Sequence, residues 1–163
     1  MRYLLDANVF IQAHRLHYPF DVFPAFWIWL EQENTMGSIG SIDWVYNEIN
    51  DGGDPLADWV KTQDLERWFL VCDDETTQQC YIDIANEIMA NIHYTDSAKA
   101  DFLAVADSWL IAKAKALKLT IVTEERSHPQ KRNKIYIPDI CEIYEIPYIN
   151  TVGLIRALGG LFK

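Results

Sequence analysis

Residues 104–125 of the chain read AVADSWLIAKAKALKLTIVTEE, and this stretch decides the fold. Its first part places apolar residues three and four positions apart, which predicts an amphipathic helix over Ala98–Leu117. The β-branched run Leu119–Thr123 follows directly and predicts a buried strand. A helix that leads straight into such a strand is typical of an α/β fold with a parallel sheet.

The same alternation of strands and helices extends along the chain. Apolar runs between turn residues predict strands at Tyr3–Leu5, Gly37–Ile42, Trp68–Cys72, Leu119–Thr123 and Ile135–Ile137. Helical patterns lie between and around them, over Ala7–Arg15, Ala25–Thr35, Thr76–Ile92, Ala98–Leu117 and Thr151–Leu158, with two shorter helices beginning near Asp43 and Asp54. We therefore expect an α/β three-layer sandwich, in which a central parallel β-sheet of about five strands is flanked by helices.

The composition is that of one globular domain, residues 1–163. Half of the residues are apolar and 13% are aromatic, which is enough for a sizeable core. No apolar run approaches the roughly 20 residues that cross a bilayer, and the N-terminal Met1–Asp6 reaches an acid too early for a signal peptide. The three cysteines form no CxxC pair, which favours a reducing, cytoplasmic setting.

The net charge of −10, from 14 basic and 24 acidic residues, counts against a general nucleic-acid-binding protein, which usually has a basic surface. Two arrangements would still allow contact with nucleic acid. Metal ions can neutralise clustered acids, and basic residues can be concentrated where the strand passes. The densest basic stretch of the chain is Arg126–Lys134.

Acidic residues stand beside predicted core segments at four places. Asp6 follows the first strand, and Glu124 and Glu125 follow the fourth. Asp107 lies on or beside the apolar face of its helix, and Glu48 lies on an early helix. Because sites in parallel sheets form outside the carboxyl ends of the strands, we expect these side chains to meet there. A carboxylate beside a core is costly unless it is paired or binds a cation, so the group predicts a site for divalent metal ions.

Each acid also has a structural explanation. Asp6 could cap the helix that follows it, and Asp107 could be a boundary acid paired with a lysine or a backbone amide. Glu48 could lie on an exposed helix face, and the adjacent Glu124 and Glu125 could form a solvated turn. On the residues alone, both interpretations stay open.

The order of these motifs resembles the PIN domain, a family of metal-dependent nucleases with a parallel-sheet fold. The resemblance covers nearly the whole chain and is carried by Leu4-Leu5-Asp6-Ala7-Asn8, the glutamate of an early helix, Ala106-Asp107-Ser108-Trp109-Leu110-Ile111-Ala112 and Ile121-Val122-Thr123-Glu124-Glu125. The family commonly shows D-x-N, then a D-x-x-I/L-A helix, then V-T-x-D. By position, it implies an acidic quartet with three supporting residues: Asp6, Glu48, Asp107 and Glu125, supported by Asn8, Thr123 and Glu124.

Two features depart from the family pattern. The last acid is Glu where the family usually has Asp, and Glu124 beside Glu125 makes the fourth acid ambiguous. The segment Lys134–Cys141 is not the commonest PIN ending, and it resembles a less characterised bacterial and archaeal branch. Small single-domain PIN proteins often resemble VapC-type ribonuclease toxins, which an antitoxin holds inactive.

The resemblance implies an endoribonuclease that uses Mg²⁺ or Mn²⁺, ions that favour oxygen ligands. Asp6 and Asp107 would be the central ligands, and Glu48 and Glu125 would complete the shell. The basic loop directly after the last acid would contact the phosphates of an RNA substrate through Arg126, Lys131, Arg132 and Lys134. The alternative for this loop is a solvated segment without substrate contacts.

The expected partners are an RNA substrate and a cognate antitoxin with a DNA-binding motif, and the aromatic cluster Phe20–Leu30 is a candidate partner or homodimer surface. Two other functions stay open. A catalytically degenerate PIN scaffold would only bind a partner protein, and a metal-dependent phosphatase would use Asp6 as its nucleophile. The phosphatase is the weaker alternative, because Asn8 stands where haloacid-dehalogenase-like phosphatases carry a second Asp.

Overall fold

A parallel sheet of five strands forms the centre of the computed structural model, which describes residues 1–162. The strands are β1 (Tyr3–Leu5), β2 (Ile39–Ile42), β3 (Phe69–Leu70), β4 (Thr120–Val122) and β5 (Tyr148–Ile149). Their order is β3-β2-β1-β4-β5, and every neighbouring pair is parallel. Leu4 of β1 is in register with Gly40 of β2 and with Ile121 of β4. The predicted central parallel sheet is confirmed.

Helices flank the sheet and connect its strands, as parallel strands require. They are α1 (Ala7–Gln12), α2 (Pro24–Thr35), α3 (Asp43–Asn50), α4 (Pro55–Lys61), α5 (Leu65–Trp68), α6 (Glu75–Ala90), α7 (Asp96–Leu103), α8 (Ala106–Leu117), α9 (Ile137–Ile143) and α10 (Thr151–Ala157). A π-helical turn, Ala13–His17, extends α1. Within residues 1–162, no helix has both the length and the apolar character that a membrane crossing requires.

The fifth strand does not lie where the sequence predicted it. The prediction of a strand at Ile135–Ile137 is wrong, because α9 begins at Ile137 and β5 lies at Tyr148–Ile149. Pro138 occupies the first turn of α9, where its missing N–H would have no helical partner in any case. The N–H of Ile137 donates to Glu125 Oε2 at 2.8 Å, so a side chain rather than a neighbouring strand satisfies it.

The single helix predicted over Ala98–Leu117 is in fact two helices, α7 and α8, separated at Val105. Val105 is extended, with φ −119° and ψ 178°, a conformation that suits a β-branched residue. At the end of α7 the Leu103 carbonyl accepts a hydrogen bond from the Tyr81 hydroxyl of α6 at 2.9 Å. The break places Asp107 in the first turn of α8 instead of the middle of a helix.

The neighbouring strands β1 and β4 position the candidate site. Leu4 and Leu5 of β1 and Ile121 and Val122 of β4 are completely buried. From β1 the sheet extends to β2 on one side and to β4 on the other, so the carboxyl ends of β1 and β4 form the switch point where such sheets bind ligands. Ser41 of β2 stabilises this edge, since its hydroxyl donates to the Leu5 carbonyl at 2.5 Å.

Candidate active site

Asp6 directly follows β1 and is 1% exposed. Its backbone N–H continues the sheet by donating to the Val122 carbonyl at 2.9 Å. The residue occupies the N-cap position of α1, yet within residues 1–162 its side chain accepts no capping hydrogen bond from the helix. Its Oδ2 instead accepts a hydrogen bond from Thr123 Oγ1 at 2.9 Å. The carboxylate therefore faces the end of β4 and does not serve as a helix cap.

Thr123 links Asp6 to Glu125. Its hydroxyl donates to Asp6 and accepts the Glu125 backbone N–H at 3.1 Å. The Glu125 side chain is 10% exposed, and its Oε1 lies 3.8 Å from Lys134 Nζ. Its Oε2 accepts the N–H of Ile137 at 2.8 Å. The start of α9 and a lysine of the basic loop thus hold this glutamate at the end of β4.

Two helices bring further acids to the same edge of the sheet. Asp107 lies in the first turn of α8 and is half-buried, and Glu48 lies on α3 and is exposed. Together with Asn8, Glu125 and Lys134, they line one cleft of about 600 Å³. This volume falls within the ~300–1,000 Å³ that is usual for ligand sites.

Asp6 has the most perturbed environment of these acids. Burial raises the pKa of its carboxyl well above the ordinary value, and the charge of Asp107 raises it further. The charges of Glu125 and Glu48 act in the same direction, and the hydrogen bond from Thr123 opposes them. Asp6 forms no ion pair with a Lys, Arg or His within the described residues. Its charge is therefore uncompensated.

Asp107 belongs to the same electrostatic group. Burial raises the pKa of its carboxyl to about 7, the charges of Glu125 and Glu48 contribute to the increase, and Lys134 opposes it. Burial also raises the pKa of Glu48. Like charges gathered beside a core disfavour ionisation, and a bound cation would remove that cost.

Glu124 has a different partner. Its Oε1 accepts the N–H of Thr151 at 2.9 Å, at the start of α10. Burial is the largest cause of the raised pKa of both Asp6 and Asp107, and the charge of Glu125 raises both further. The charge of Glu124 is not among the causes. Of the two adjacent glutamates, Glu125 is the one whose charge belongs to the acidic group.

The side chains do not form a ready-made metal site. Among residues 1–162, no group of three or more His, Cys, Asp or Glu side chains has the arrangement of metal ligands. One oxygen of Glu125 accepts a backbone N–H and the other lies near Lys134. A cation shared with Asp6 and Asp107 would compete with Lys134 for this carboxylate.

The basic loop Arg126–Lys134 is anchored by an acid of α9. Asp139 is 7% exposed, and its Oδ1 accepts hydrogen bonds from Ser127 Oγ at 2.7 Å and from the His128 N–H at 2.9 Å. Its Oδ2 lies 3.3 Å from the same N–H. The start of the loop therefore has a defined position relative to the cleft, while contact with a substrate stays a prediction.

The four basic residues predicted to contact substrate lie in different places. Lys134 lines the acidic cleft, and Arg126 lines a neighbouring cavity of about 610 Å³. Arg132 uses Nε to donate to the His93 carbonyl at 2.8 Å, and the Lys131 carbonyl lies 3.0 Å from His93 Nε2. Lys134 is thus the one of the four that shares a cleft with Glu48 and Asp107, and Arg126 shares its cavity with Glu124 and Glu125.

Five further residues line the cleft without having been predicted as site residues. They are Trp44, Asn47, Asp51, Val105 and Ala106. Trp44 lies four residues before Glu48, and Asp51 lies three residues after it. Residues three or four apart share one face of a helix, so the position of Glu48 could have predicted both.

Two solved structures share this fold. The crystal structure of VapBC2 from Rickettsia felis bound to a DNA fragment from their promoter matches with a TM-score of 0.57 and 16% identity, over 92% of this chain and 98% of that chain. The structure of FitAB bound to an IR36 DNA fragment matches with a TM-score of 0.54 and 18% identity, over 91% of this chain and 94% of that chain. At these identities the likeness establishes a PIN-like fold.

A comparison with curated proteins found no match. A comparison with family models found one that is described as Domain of unknown function (DUF4411) and that matches residues 3–162. The match spans the sheet, the helices and every acid of the cleft. The chain therefore belongs to the family Domain of unknown function (DUF4411).

Proposed function

We propose that the protein is a metal-dependent endoribonuclease that hydrolyses phosphodiester bonds of RNA. The observation that carries the proposal is the buried carboxylate of Asp6, which has one hydrogen-bonding partner and whose pKa is raised by burial, Asp107, Glu125 and Glu48. A fold has little structural reason to gather uncompensated acids at its ligand-binding edge. A divalent cation supplies the missing positive charge.

The donor set fits Mg²⁺ or Mn²⁺, because both prefer oxygen ligands and the cleft offers carboxylates. Asp6 and Asp107 would hold the ion most directly, and Glu48 and Glu125 would complete the shell. When bound, such an ion activates water and stabilises the charge that develops on phosphate oxygens.

The chain's own residues position the acids. Thr123 fixes one oxygen of Asp6 by hydrogen bond and leaves the other free of side-chain partners among the described residues. The same hydroxyl accepts the N–H of Glu125, so the two acids are set relative to each other by one side chain. Asn8 lines the cleft beside them and can donate its amide to substrate oxygens.

Basic residues beside the cleft would neutralise the RNA backbone. Lys134, whose side chain is 57% exposed, lies 3.8 Å from Glu125 and 4.7 Å from the centre of the Tyr136 ring. A substrate phosphate would compete with Glu125 for this ammonium group and free the glutamate for the cation. Arg126, Lys131 and Arg132 would contact phosphates farther along the strand.

We propose in addition that the protein is the cytoplasmic toxin of a toxin–antitoxin pair. The support is the PIN-like fold shared with chains of two complexes that were solved on DNA fragments. The partner would be an antitoxin with a DNA-binding motif, and a homodimer through the Phe20–Leu30 surface is part of this proposal. Ile28 and Phe23 of that surface are 54% and 46% exposed.

The alternatives have less support. A phosphatase of the haloacid-dehalogenase-like kind would need a second acid two residues after Asp6, and that position is Asn8. A scaffold that only binds a partner protein would not need acids so close together that each raises the pKa of another. It would, however, agree with the lack of a ready-made metal site among residues 1–162.

Purified protein incubated with RNA tests the proposal. We expect cleavage that requires Mg²⁺ or Mn²⁺, stops with EDTA and is lost in Asp107→Asn. Asp58→Asn is the matched control, since its side chain is 83% exposed on α4, and it should cleave normally. Metal binding is measured separately by calorimetry. Metal binding without cleavage would favour the scaffold, and cleavage by Asp107→Asn at the wild-type rate would refute the proposed site.

A growth experiment tests the toxin role. Expression of the wild-type chain should arrest growth, and Asp107→Asn should not. Co-expression of a small adjoining reading frame with a DNA-binding motif should restore growth. If the wild-type chain cleaves RNA in vitro but does not affect growth, the nuclease proposal stands and the toxin proposal is refuted.

A further inference from the structure

Three aromatic rings from three helices lie parallel beside the acidic cleft. Trp109 of α8 stacks on Tyr81 of α6, with ring centres 3.9 Å apart and planes 9° apart. Trp109 also lies nearly parallel to Trp44 of α3, at 5.5 Å and 17°. The Tyr81 hydroxyl is fixed by its hydrogen bond to the Leu103 carbonyl. Trp44 is therefore held in one orientation by a supported stack.

Trp44 differs from the tryptophans of the core in its exposure. Trp27, Trp29 and Trp68 are 3%, 9% and 0% exposed, whereas Trp44 is 37% exposed. Packing accounts for the buried rings, but it does not account for an indole that stacks on one neighbour and keeps part of its surface in water. Such an ordered, partly exposed aromatic ring is a good contact surface, because little conformational entropy is lost when a partner binds.

The open part of Trp44 belongs to the cleft of the acids. Trp44, Glu48, Asp107 and Lys134 line the same 600 Å³ volume. Val105, which is 43% exposed, adds an apolar surface to this cleft directly before α8. One cleft thus offers a flat aromatic surface, an apolar contact, acids and a lysine. A nucleotide has the matching parts: a planar base and a phosphate.

We infer that Trp44 is a stacking platform for an unpaired nucleobase next to the scissile phosphate. This inference rests on the proposed ribonuclease function. A base can lie on an indole only if its face is free, and in a duplex neighbouring base pairs cover both faces. Stacking of this kind tolerates every base, so Trp44 would position the strand without selecting a sequence.

Binding measured without cleavage tests the inference. The full-length Asp6→Asn protein in Mg²⁺ is titrated with fluorescent oligo(U), either single-stranded or annealed to oligo(A). We expect the single strand to bind more tightly than the duplex. Adding Trp44→Ala should weaken single-strand binding by about 5- to 150-fold, the range for loss of one base–aromatic stack. Trp44→Phe keeps a ring and should stay within a few-fold of the parent.

Two controls connect the effect to stacking. Ile143→Ala removes an apolar side chain that is 46% exposed and does not line the cleft, and it should leave the affinity unchanged. Abasic substitution along the oligonucleotide should find one position where the loss matches that of Trp44→Ala, and the two changes combined should cost no more than either alone. Circular dichroism confirms that each variant is folded.

Unchanged affinity in folded Trp44→Ala, or equal binding of duplex and single strand, would overturn the inference. Cleavage of RNA by the wild-type protein is scored separately, so this result would leave the nuclease proposal standing. A protein that neither binds nor cleaves single-stranded RNA would overturn both.

Discussion

Two acidic residues of this protein show opposite electrostatic behaviour. Asp74 precedes α6 and is bonded to Lys113 of α8, whose side chain is 8% exposed and also donates to the Val71 carbonyl at 2.8 Å. Asp74 further accepts the N–H of Thr77 at 2.9 Å, and these bonds, led by that from Lys113, hold its pKa below the usual range. Asp6 has one hydrogen-bonding side chain and a raised pKa.

The difference shows what each acid contributes. Asp74 joins two helices, and its charge is matched by a cation within the fold. Asp6 faces other acids, and within residues 1–162 no cation is paired with it. The first arrangement favours the folded state, and the second is a cost that protonation or a bound cation would remove. Uncompensated charge at a ligand-binding edge is typical of functional sites.

The largest expected effect is on catalysis. Asp6→Asn should lower the rate of RNA cleavage by about 10²-fold or more, because it removes a central metal ligand. At pH 8 the same change should raise the free energy of unfolding of the metal-free protein by about 1 kcal/mol, because the cost of the buried acid disappears. Cleavage assays and urea denaturation measure the two quantities. A variant that loses stability and keeps activity would reverse our assignment of Asp6.

The second prediction concerns Asp74. Asp74→Ala should lower the free energy of unfolding by about 2–3 kcal/mol, because it leaves the Lys113 ammonium group buried without its counter-charge. Cleavage measured well below the melting temperature should stay normal. Asp58→Ala, at an exposed position of α4, is the control and should change stability by less than about 0.5 kcal/mol. A loss of cleavage activity in folded Asp74→Ala would contradict the assignment of Asp74 to stability alone.

The two regions should also differ in their pH dependence. The pKa of Asp107 is raised to about 7 in the folded protein, so the folded state binds more protons and stability falls as pH rises from about 4 to about 7. The pKa of Asp74 is lower in the folded protein than in the unfolded chain, so this residue stabilises the fold when the pH is above its unfolded pKa. That stabilisation is lost as the pH falls through its folded pKa. Between pH 4 and pH 7 the stability of the metal-free wild type should fall by about 3 kcal/mol because of Asp107, and Asp107→Asn should remove this decrease. An identical curve for wild type and Asp107→Asn would contradict the raised pKa.

The smallest effect is expected at Thr123. Thr123→Val keeps the shape of the side chain and removes the hydroxyl that bridges Asp6 and Glu125, so it should cost about 1 kcal/mol of stability. The rate of cleavage should fall more than the affinity for RNA, because the acids lose their relative positions while the basic loop stays intact. Thr62→Val on the surface near α4 is the matched control. Equal losses in the two variants would show that the bridge has no special role.

Much of the fold could be predicted because its signals are local. The strands β1 and β4 are apolar runs followed at once by an acid, and such a pattern needs no knowledge of the rest of the chain. Their position also predicts that Asp6 and Glu125 lie at the carboxyl edge of a parallel sheet, which is where the structure places them. That these acids bind a metal ion stays a prediction.

The errors have non-local causes. Ile135–Ile137 has the composition of a strand, but the carboxylate of Glu125, twelve residues away from Ile137, accepts the N–H that begins α9. The helix break at Val105 is accompanied by a hydrogen bond from Tyr81, twenty-two residues away from Leu103. No local pattern contains these partners.

By itself, the amino-acid sequence determined the class of fold, the central strands and the acids at their ends, because hydrophobic periodicity and strand ends are properties of neighbouring residues. Three outcomes were decided only by the tertiary structure. The charge of Glu125, and not that of Glu124, contributes to the raised pKa of Asp6, and β5 lies at Tyr148–Ile149. Trp44 is the aromatic residue of its stack that lines the acidic cleft, where it is 37% exposed. These outcomes depend on which groups meet across the fold, and burial and charge act through space and not along the chain.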